Sequence, residues 1–172
     1  MGNSDTPRLR RPIVAGLLGL AAVAAYAIVG VLQILVFNPL AAVPGATLAE
    51  IRAQMAQADQ PLTANAVVTW AITGVLLAVL VLVIAATRHT LSTELVVAAT
   101  LVLLVFAAPG HIFVAFLPGM SLADTFMISG GDHAPWGAVL YLVSGLALAA
   151  LIVLIIRAAR APAGGPVTLP TR

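Results

Sequence analysis

Four long apolar segments, each with very few charged residues, dominate the hydropathy pattern. They cover residues 13–37, 65–87, 95–117 and 136–156. About 20 helical residues are needed to cross a hydrocarbon core about 30 Å thick, and a helix satisfies its own backbone hydrogen bonds there. We therefore predict an all-α integral membrane protein, with four transmembrane helices in a single domain over residues 1–172.

The composition supports a membrane location and narrows the chemistry. Hydrophobic residues make up 62% of the chain and charged residues 8%, which leaves too few polar side chains to cover a soluble globule. A net charge of +2 without a basic patch argues against nucleic acid as a partner. The absence of cysteine excludes thiolate ligands and a cysteine nucleophile. The absence of lysine and the abundance of alanine indicate a GC-rich bacterial genome, and no cofactor is expected.

Arginine placement predicts the topology. If the four helices alternate in direction, seven of the eight basic residues fall on one side, and only Arg52 falls on the other. The seven are Arg8, Arg10, Arg11, Arg88, Arg157, Arg160 and Arg172. Because cytoplasmic segments retain positive charge, we predict an inner-membrane protein with cytoplasmic tails at 1–12 and 157–172. The outer loops would then be residues 38–64 and 118–135.

The two outer loops begin with similar sequences. PGATLAE occupies Pro44 to Glu50 and PGMSLAD occupies Pro118 to Asp124, and an offset of 74 residues relates them. This recurrence predicts two similar helical hairpins in tandem, related by an axis along the membrane normal. The alternative is that ordinary helix-start chemistry occurs twice without common ancestry.

The same motifs predict a short helix in each outer loop. Thr47 and Ser121 are suitable N-caps, and Glu50 and Asp124 lie three residues later, where a carboxylate completes a capping box. In the first loop, apolar residues recur at helical spacing opposite polar ones, so this helix should be amphipathic. It would lie on the outer membrane surface or cap the bundle.

His111 is the leading candidate for a functional residue. An ionisable side chain at membrane depth is costly and usually faces the protein interior. Pro109 and Gly110 precede it, and they predict a kink with a broken backbone ladder. The favoured interpretation is that the imidazole satisfies a freed carbonyl. Proton or ligand handling, and metal or haem ligation, are the alternatives.

Other polar residues near the outer end complete the candidate set. Asp132 and His133, with Asp124 further back, form an oxygen and nitrogen set that matches no established metal motif, so the metal stays unknown. Gln33 and Asn38 lie in or beside the outer half of the first helix. They fit either a small wet cavity or hydrogen bonds between helices.

The predicted function depends on the absence of recognisable catalytic motifs from the sequence. No nucleophile with its base, phosphate loop or catalytic carboxylate pair is present, so an enzyme is not expected. A non-catalytic accessory or assembly component is the preferred hypothesis, with the bilayer and a membrane protein or a second copy as partners. A small-solute or ion permeation unit using His111 and the outer polar residues is the second hypothesis. A metal-binding membrane enzyme is the third.

Overall fold

A computed structural model describes residues 6–88 and 90–160, with side chains described from Arg11 onward. All regular secondary structure of the described residues is helical, and no strand occurs among them. Its elements are α1 (Thr6–Leu32), a π-helical segment (Gln33–Phe37), α2 (Asn38–Ala42), α3 (Leu48–Gln57), α4 (Asn65–Thr87), α5 (Thr93–Phe126) and α6 (Trp136–Arg160). The predicted tails lie partly outside the described residues, at 1–5 and 161–172.

Four of these helical stretches are long and apolar enough to cross a bilayer, which confirms the predicted fold class. They are Arg11–Ala42, Asn65–Thr87, Thr93–Phe126 and Trp136–Arg160, with mean hydropathies from 2.3 to 2.9. Much of their apolar surface faces outward from the bundle, as lipid-facing helices require.

α1 and α5 pack against each other at the centre of the bundle. α4 packs against both of them, whereas α6 packs mainly against α5 and touches α1 less. The central core consists of Val23, Tyr26, Ala78, Leu104, Leu140 and Ala147. The end of the bundle that carries α3 and the α5–α6 loop is called the loop end, and the opposite end, where α1 begins and α6 finishes, is called the terminal end.

Small residues let α1 approach its neighbours closely. A Cβ atom at Gly16 would lie 3.3 Å from the Cα atom of Leu82 in α4, and one at Gly19 would overlap the side chain of Thr100 in α5. In lipid, dispersion contacts of this kind take the place of the missing hydrophobic drive. The glycine-rich face of α1 therefore meets its own chain, and these contacts hold the terminal half together.

The structure corrects both predicted outer loops. The first helix continues through the π segment and α2 to Ala42, so the loop does not begin at residue 38. α5 passes through Pro118 and ends at Phe126, so the loop does not begin at residue 118 either. The extension of α5 is held by packing, because its buried Leu122 contacts Ile51 and Met55 of α3. Tertiary contact therefore outweighs the usual tendency of proline to end a helix.

The two proline-glycine motifs adopt different conformations. Gly45 has a φ of +86° between α2 and α3, whereas Gly119 lies inside α5. Ser121 is also inside α5, where its carbonyl accepts from the Thr125 hydroxyl at 2.8 Å, so the predicted cap and short helix in the second loop are wrong. The tandem duplication remains a prediction from the sequence.

α3 caps the loop end of the bundle. Thr47 and Glu50 form a capping box, in which Glu50 Oε2 accepts from the Thr47 amide at 2.7 Å and the Glu50 amide donates to Thr47 Oγ1 at 3.3 Å. The backbone hydrogen bond from Thr47, followed by the bond from its hydroxyl, lowers the pKa of Glu50. Ile51 and Met55 are fully buried beneath the exposed polar face of this helix.

Arg52 ties α3 to the π segment. Its Nη2 donates to the Leu35 carbonyl at 3.5 Å. A π segment changes the i→i+4 hydrogen-bond pattern to i→i+5 and commonly marks functional sites. Arg52, the one arginine at the loop end among the side chains that the structure describes, therefore has a structural partner in the irregular part of the first helix.

Candidate functional site

Four polar side chains from separate elements meet inside the loop half of the bundle. They are Gln33 at the start of the π segment, His111 on α5, Asp132 in the α5–α6 loop and Tyr141 on α6, and they are called the polar cluster here. Gln33 and His111 are fully buried, whereas Asp132 is exposed at the loop end. The cluster thus extends from the surface into the bundle.

Tyr141 is the central member of the polar cluster. Its hydroxyl lies 3.4 Å from Asp132 Oδ2, to which it donates, and 3.4 Å from His111 Nδ1. Gln33 Nε2 donates to the other carboxylate oxygen, Asp132 Oδ1, also at 3.4 Å. These distances are long for hydrogen bonds, so the contacts are weak in this conformation. They nevertheless connect an exposed carboxylate to a buried imidazole through a single hydroxyl.

The loop that carries Asp132 is held against the first helix by a second set of contacts. The His133 amide donates to Asn38 Oδ1 at 2.6 Å, and His133 Nε2 lies 2.9 Å from the Ser129 carbonyl. Gly137 leaves room beside this loop, because a Cβ atom there would overlap the Asp132 carboxylate in its present position. Asn38 and Gly137 therefore position the acid of the polar cluster.

Aromatic rings surround the imidazole. The Trp70 ring of α4 and the Tyr141 ring both approach His111 edge-on, with centroid distances of 5.7 and 5.8 Å. Trp70 fits because two glycines leave room for it: a Cβ atom would lie 2.6 Å from its Nε1 at Gly110 and 2.7 Å from its Cη2 at Gly30. This packing holds the ring of His111 in a defined orientation.

Two buried polar atoms of the polar cluster have no hydrogen-bond partner. They are His111 Nε2 and Gln33 Oε1. The backbone of Gly30 adjoins the imidazole, since a Cβ atom there would lie 3.2 Å from His111 Cδ2, and the Gly30 carbonyl faces the ring without a hydrogen bond of ordinary geometry. An unpaired polar atom in a low-dielectric interior costs about 1–3 kcal/mol. The cluster is therefore not arranged for stability alone.

A cleft of about 190 Å³ lies beside the polar cluster at the loop end. It contains both polar groups and an apolar wall, and its lining includes Asn38, Ile112, Phe116, Gly131, Asp132 and Tyr141. The acid and the hydroxyl of the cluster are therefore accessible from this side.

The polar interior does not continue to the terminal end. The side-chain hydrogen bonds between helices that lie furthest from the loop end join Tyr26 Oη to Ser144 Oγ at 3.1 Å and Ser144 Oγ to the Leu104 carbonyl at 2.8 Å. Among the described residues closer to the terminal end, the buried side chains are apolar, as at Val23, Ala85 and Val96. The polar cluster therefore opens toward the loop end and borders an apolar interior on its other side.

Five of the six polar candidates predicted from the sequence lie together at this site. They are Gln33, Asn38, His111, Asp132 and His133. Asp124 does not join them, because it lies on the exposed side of the α5 extension. Within residues 11–88 and 90–160, no three histidine, aspartate or glutamate side chains are close enough to hold a metal ion.

The interpretation that the His111 imidazole satisfies a freed backbone carbonyl stays a prediction. α5 passes through Pro109 and Gly110 as a continuous helix, and the described contact of the imidazole is with Tyr141 on another helix. The irregular segment is in the first helix, at the π turns that begin with Gln33.

Sequence reasoning missed Tyr141 and Trp70. Each is one of only two residues of its type in the chain, and each lies in an apolar helix where a polar aromatic edge needs a partner. The spacing of Tyr141 and Ser144, which lie one helical turn apart in an apolar segment, was the available signal.

Comparison with protein-family models, with curated proteins and with solved structures finds no match to this chain.

Proposed function

We propose that this chain is a multi-pass protein of the bacterial inner membrane that acts without catalysis, as an accessory or assembly component of a membrane complex. Both termini are cytoplasmic in this proposal, and the loop end faces outward. The positions of Arg11, Arg88 and Arg157 at the terminal end support that orientation. Arg52 lies at the outward-facing loop end and is the exception to this arginine distribution. Its position there is accounted for by its hydrogen bond to the Leu35 carbonyl.

One observation carries the proposal: the polar interior ends halfway through the bundle. A permeation unit needs a continuous path of polar groups or water across the membrane. Here the buried polar side chains stop at Ser144, and apolar residues such as Val23 and Ala147 line the interior beyond it. A transport pathway through His111 is therefore the weaker proposal, and the described side chains supply no ligand set for a metal enzyme.

The capped loop end supports a role in assembly. α3 is anchored by Ile51 and Met55, so its opposite face is held in a fixed orientation. That face exposes Arg52, Gln54 and Gln57, which can form hydrogen bonds with a partner outside the membrane. The proposed partner is a membrane protein or a second copy of this chain.

Affinity purification from native membranes in mild detergent tests the proposal. We expect a partner, or a second copy, to co-purify with the tagged chain at fixed stoichiometry. Replacing Gln54 and Gln57 with Arg should release that partner, because both side chains lie on the exposed face of α3. Asp124→Asn is the control, since Asp124 is exposed at the same end but on a different helix.

Two results would contradict the proposal. The first is a chain that purifies alone and moves a solute across proteoliposomes. The second is a partner that the Arg variants and the Asp124→Asn control retain equally well. Reporter fusions at each terminus test the orientation separately, and an exported terminus would overturn it.

A further inference from the structure

His111 is a fully buried ionisable group that the proposed assembly role does not use. Its burial is costly in a membrane protein, and its Nε2 atom has no hydrogen-bond partner. We propose that His111 is a proton-binding site that is loaded from the loop end through Asp132 and Tyr141. The bound proton is held inside the bundle and is not passed to the other side.

The path to the site has two steps. Asp132 is exposed and can exchange protons with water at the loop end. Tyr141 Oη lies 3.4 Å from Asp132 Oδ2 and 3.4 Å from His111 Nδ1, so one hydroxyl bridges the carboxylate and the imidazole. Contacts of this kind are often long in the resting state and shorten when a proton moves.

Each proton on this path can be followed from the Asp132 carboxylate to the His111 imidazole. When Asp132 is protonated, its O–H donates to the Tyr141 oxygen, and the Tyr141 hydroxyl turns to donate to Nδ1 of the His111 tautomer that carries its hydrogen on Nε2. A proton that arrives on Asp132 moves to the Tyr141 oxygen as the Tyr141 hydrogen moves to Nδ1. Asp132 is then a carboxylate again, Tyr141 is neutral and donates to it, and His111 is an imidazolium that donates from Nδ1 to Tyr141.

The surroundings of Nε2 favour a hydrogen on that atom. In the tautomer with its hydrogen on Nδ1, Nε2 is a buried acceptor without a donor. The tautomer that takes up the proton and the imidazolium both carry an N–H at Nε2, and the Gly30 carbonyl that faces the ring is an acceptor. A small movement that brings this N–H to the Gly30 carbonyl therefore removes an unpaired polar atom from the core.

Burial of the imidazole opposes a bound proton on His111, and the charge of the Asp132 carboxylate favours one. Tyr141 on α6 is the other titratable group in contact with the imidazole, and Tyr26 on α1 packs against Trp70 and bonds Ser144. Gln33 and Trp70 are uncharged, and the Arg52 guanidinium is bonded to the Leu35 carbonyl on the α3 side of the π segment. An imidazolium at this position is therefore linked to a carboxylate by charge-assisted hydrogen bonds.

The same geometry explains why the proton stays. Below His111 the next polar contacts are those of Tyr26 and Ser144, and no hydrogen bond among the described residues connects them to the imidazole. Proton entry and exit thus use the same face. Since Asp132 belongs to the α5–α6 loop and accepts from Tyr141, loading His111 strengthens the attachment of that loop to α6. The site therefore reports the pH at the loop end as a change in loop order.

Nitrogen-15 NMR of histidine-labelled protein in nanodiscs tests this proposal, with the His111→Gln variant identifying the His111 signals. Between about pH 8 and 5, we expect the two ring nitrogens to change from one protonated and one unprotonated to both protonated. In Asp132→Asn, the ratio of protonated to neutral His111 at a given pH should fall by about fivefold or more, because the carboxylate charge is gone. Tyr141→Phe should shift the tautomer balance and slow proton exchange at Nδ1.

Matched variants separate these effects from general disturbance. Asp124→Asn removes an exposed carboxylate from the same end, and Tyr26→Phe removes a buried hydroxyl that bonds Ser144 instead of His111. Both should titrate like the unaltered protein. A His111 ring that stays neutral throughout the range, or Asp132→Asn and Tyr141→Phe variants that titrate normally, would overturn the proposal.

The side from which the proton enters needs a separate measurement. In proteoliposomes sorted for a single orientation, His111 should respond to the pH on the loop side and not to the pH on the terminal side. A response to the terminal side alone would contradict the closed interior. The proton-binding proposal uses the proposed topology only to identify the loop side with the cell exterior. It does not depend on the co-purification test of the assembly role, so either proposal can fail without the other.

Discussion

The two halves of the bundle interior are packed by different means. In the terminal half, glycines of α1 lie against Leu82 and Thr100, and the buried side chains are apolar. In the loop half, the polar cluster occupies the centre, and Gly30 and Gly110 make room for the Trp70 ring. The terminal half has close apolar contacts between helices, whereas the loop half has long hydrogen bonds and two unpaired polar atoms.

This difference indicates which half serves stability and which half serves function. Close helix contacts in lipid are worth most where no polar group has to be accommodated. Unpaired buried atoms persist where they are used for something other than stability, as residues in functional sites commonly are. Substitutions in the two halves should therefore have different consequences.

The largest expected effect comes from overpacking the terminal half. Gly19→Leu places a side chain into the space of Thr100, whose hydroxyl is already bonded to the Val96 carbonyl. We expect a loss of about 1–3 kcal/mol in the free energy of unfolding, measured by denaturant unfolding in detergent. Gly145→Leu is the control, because a Cβ atom at Gly145 meets nothing within 4 Å. Equal losses in both variants would show that the α1 contact is not the cause.

A smaller effect is expected when the hydroxyl is removed from the polar cluster. Tyr141→Phe keeps the ring but leaves His111 Nδ1 and Asp132 Oδ2 without their shared partner. We expect a loss of about 0.5–1.5 kcal/mol, the range found for hydrogen bonds between membrane helices. The same unfolding assay measures it. A cost as large as that of Gly19→Leu would remove the distinction between the two halves.

Arg52→Met should have a still smaller effect that is confined to the loop end. The variant removes the contact to the Leu35 carbonyl, which is long at 3.5 Å and partly exposed, so a loss of about 0.5 kcal/mol is expected. Amide hydrogen exchange should increase in the π segment and in α3. Unchanged amide exchange in the π segment and α3 would show that Arg52 does not stabilise the π segment. Increased exchange in the terminal half would contradict the conclusion that the two halves are stabilised independently.

The smallest effect is expected from the pH dependence of the α3 cap. Hydrogen bonds from Thr47 lower the pKa of Glu50, so its contribution is present above the ordinary glutamate pKa, about 4.3. It is lost as the pH falls through the lowered value, when the carboxylate is protonated. The protection of the α3 amides against exchange, relative to the intrinsic exchange rate at the same pH, should therefore fall in acid, and Glu50→Gln should remove that dependence. A Glu50→Gln variant with the same acid response would assign the effect to another group.

The fold class was predictable because it depends on local properties of the chain. Four apolar stretches of sufficient length predict four spanning helices wherever those helices pack. The capping box at Thr47 and Glu50 was predictable for the same reason, since its groups are three residues apart. The second motif failed at Ser121 because contacts of Leu122 with α3 extend α5 through Pro118.

The candidate site was predictable in its members but not in its arrangement. The sequence identifies Gln33, His111 and Asp132 as candidates because polar groups near membrane depth need polar partners. That they share a hydrogen-bonded path through Tyr141 depends on how α1, α5 and α6 are placed around one another. The π segment depends on the same placement, because Arg52 reaches the Leu35 carbonyl only after α3 has docked.

The sequence by itself determined that the chain is solvated by lipid along four helices, since that follows from the transfer of apolar side chains and requires no tertiary information. The tertiary structure alone decided that one half of the interior is polar and open at one end while the other half is closed. The physical reason is that a buried hydrogen bond or a glycine contact exists only when two distant segments meet, and the packing of the helices decides which segments do.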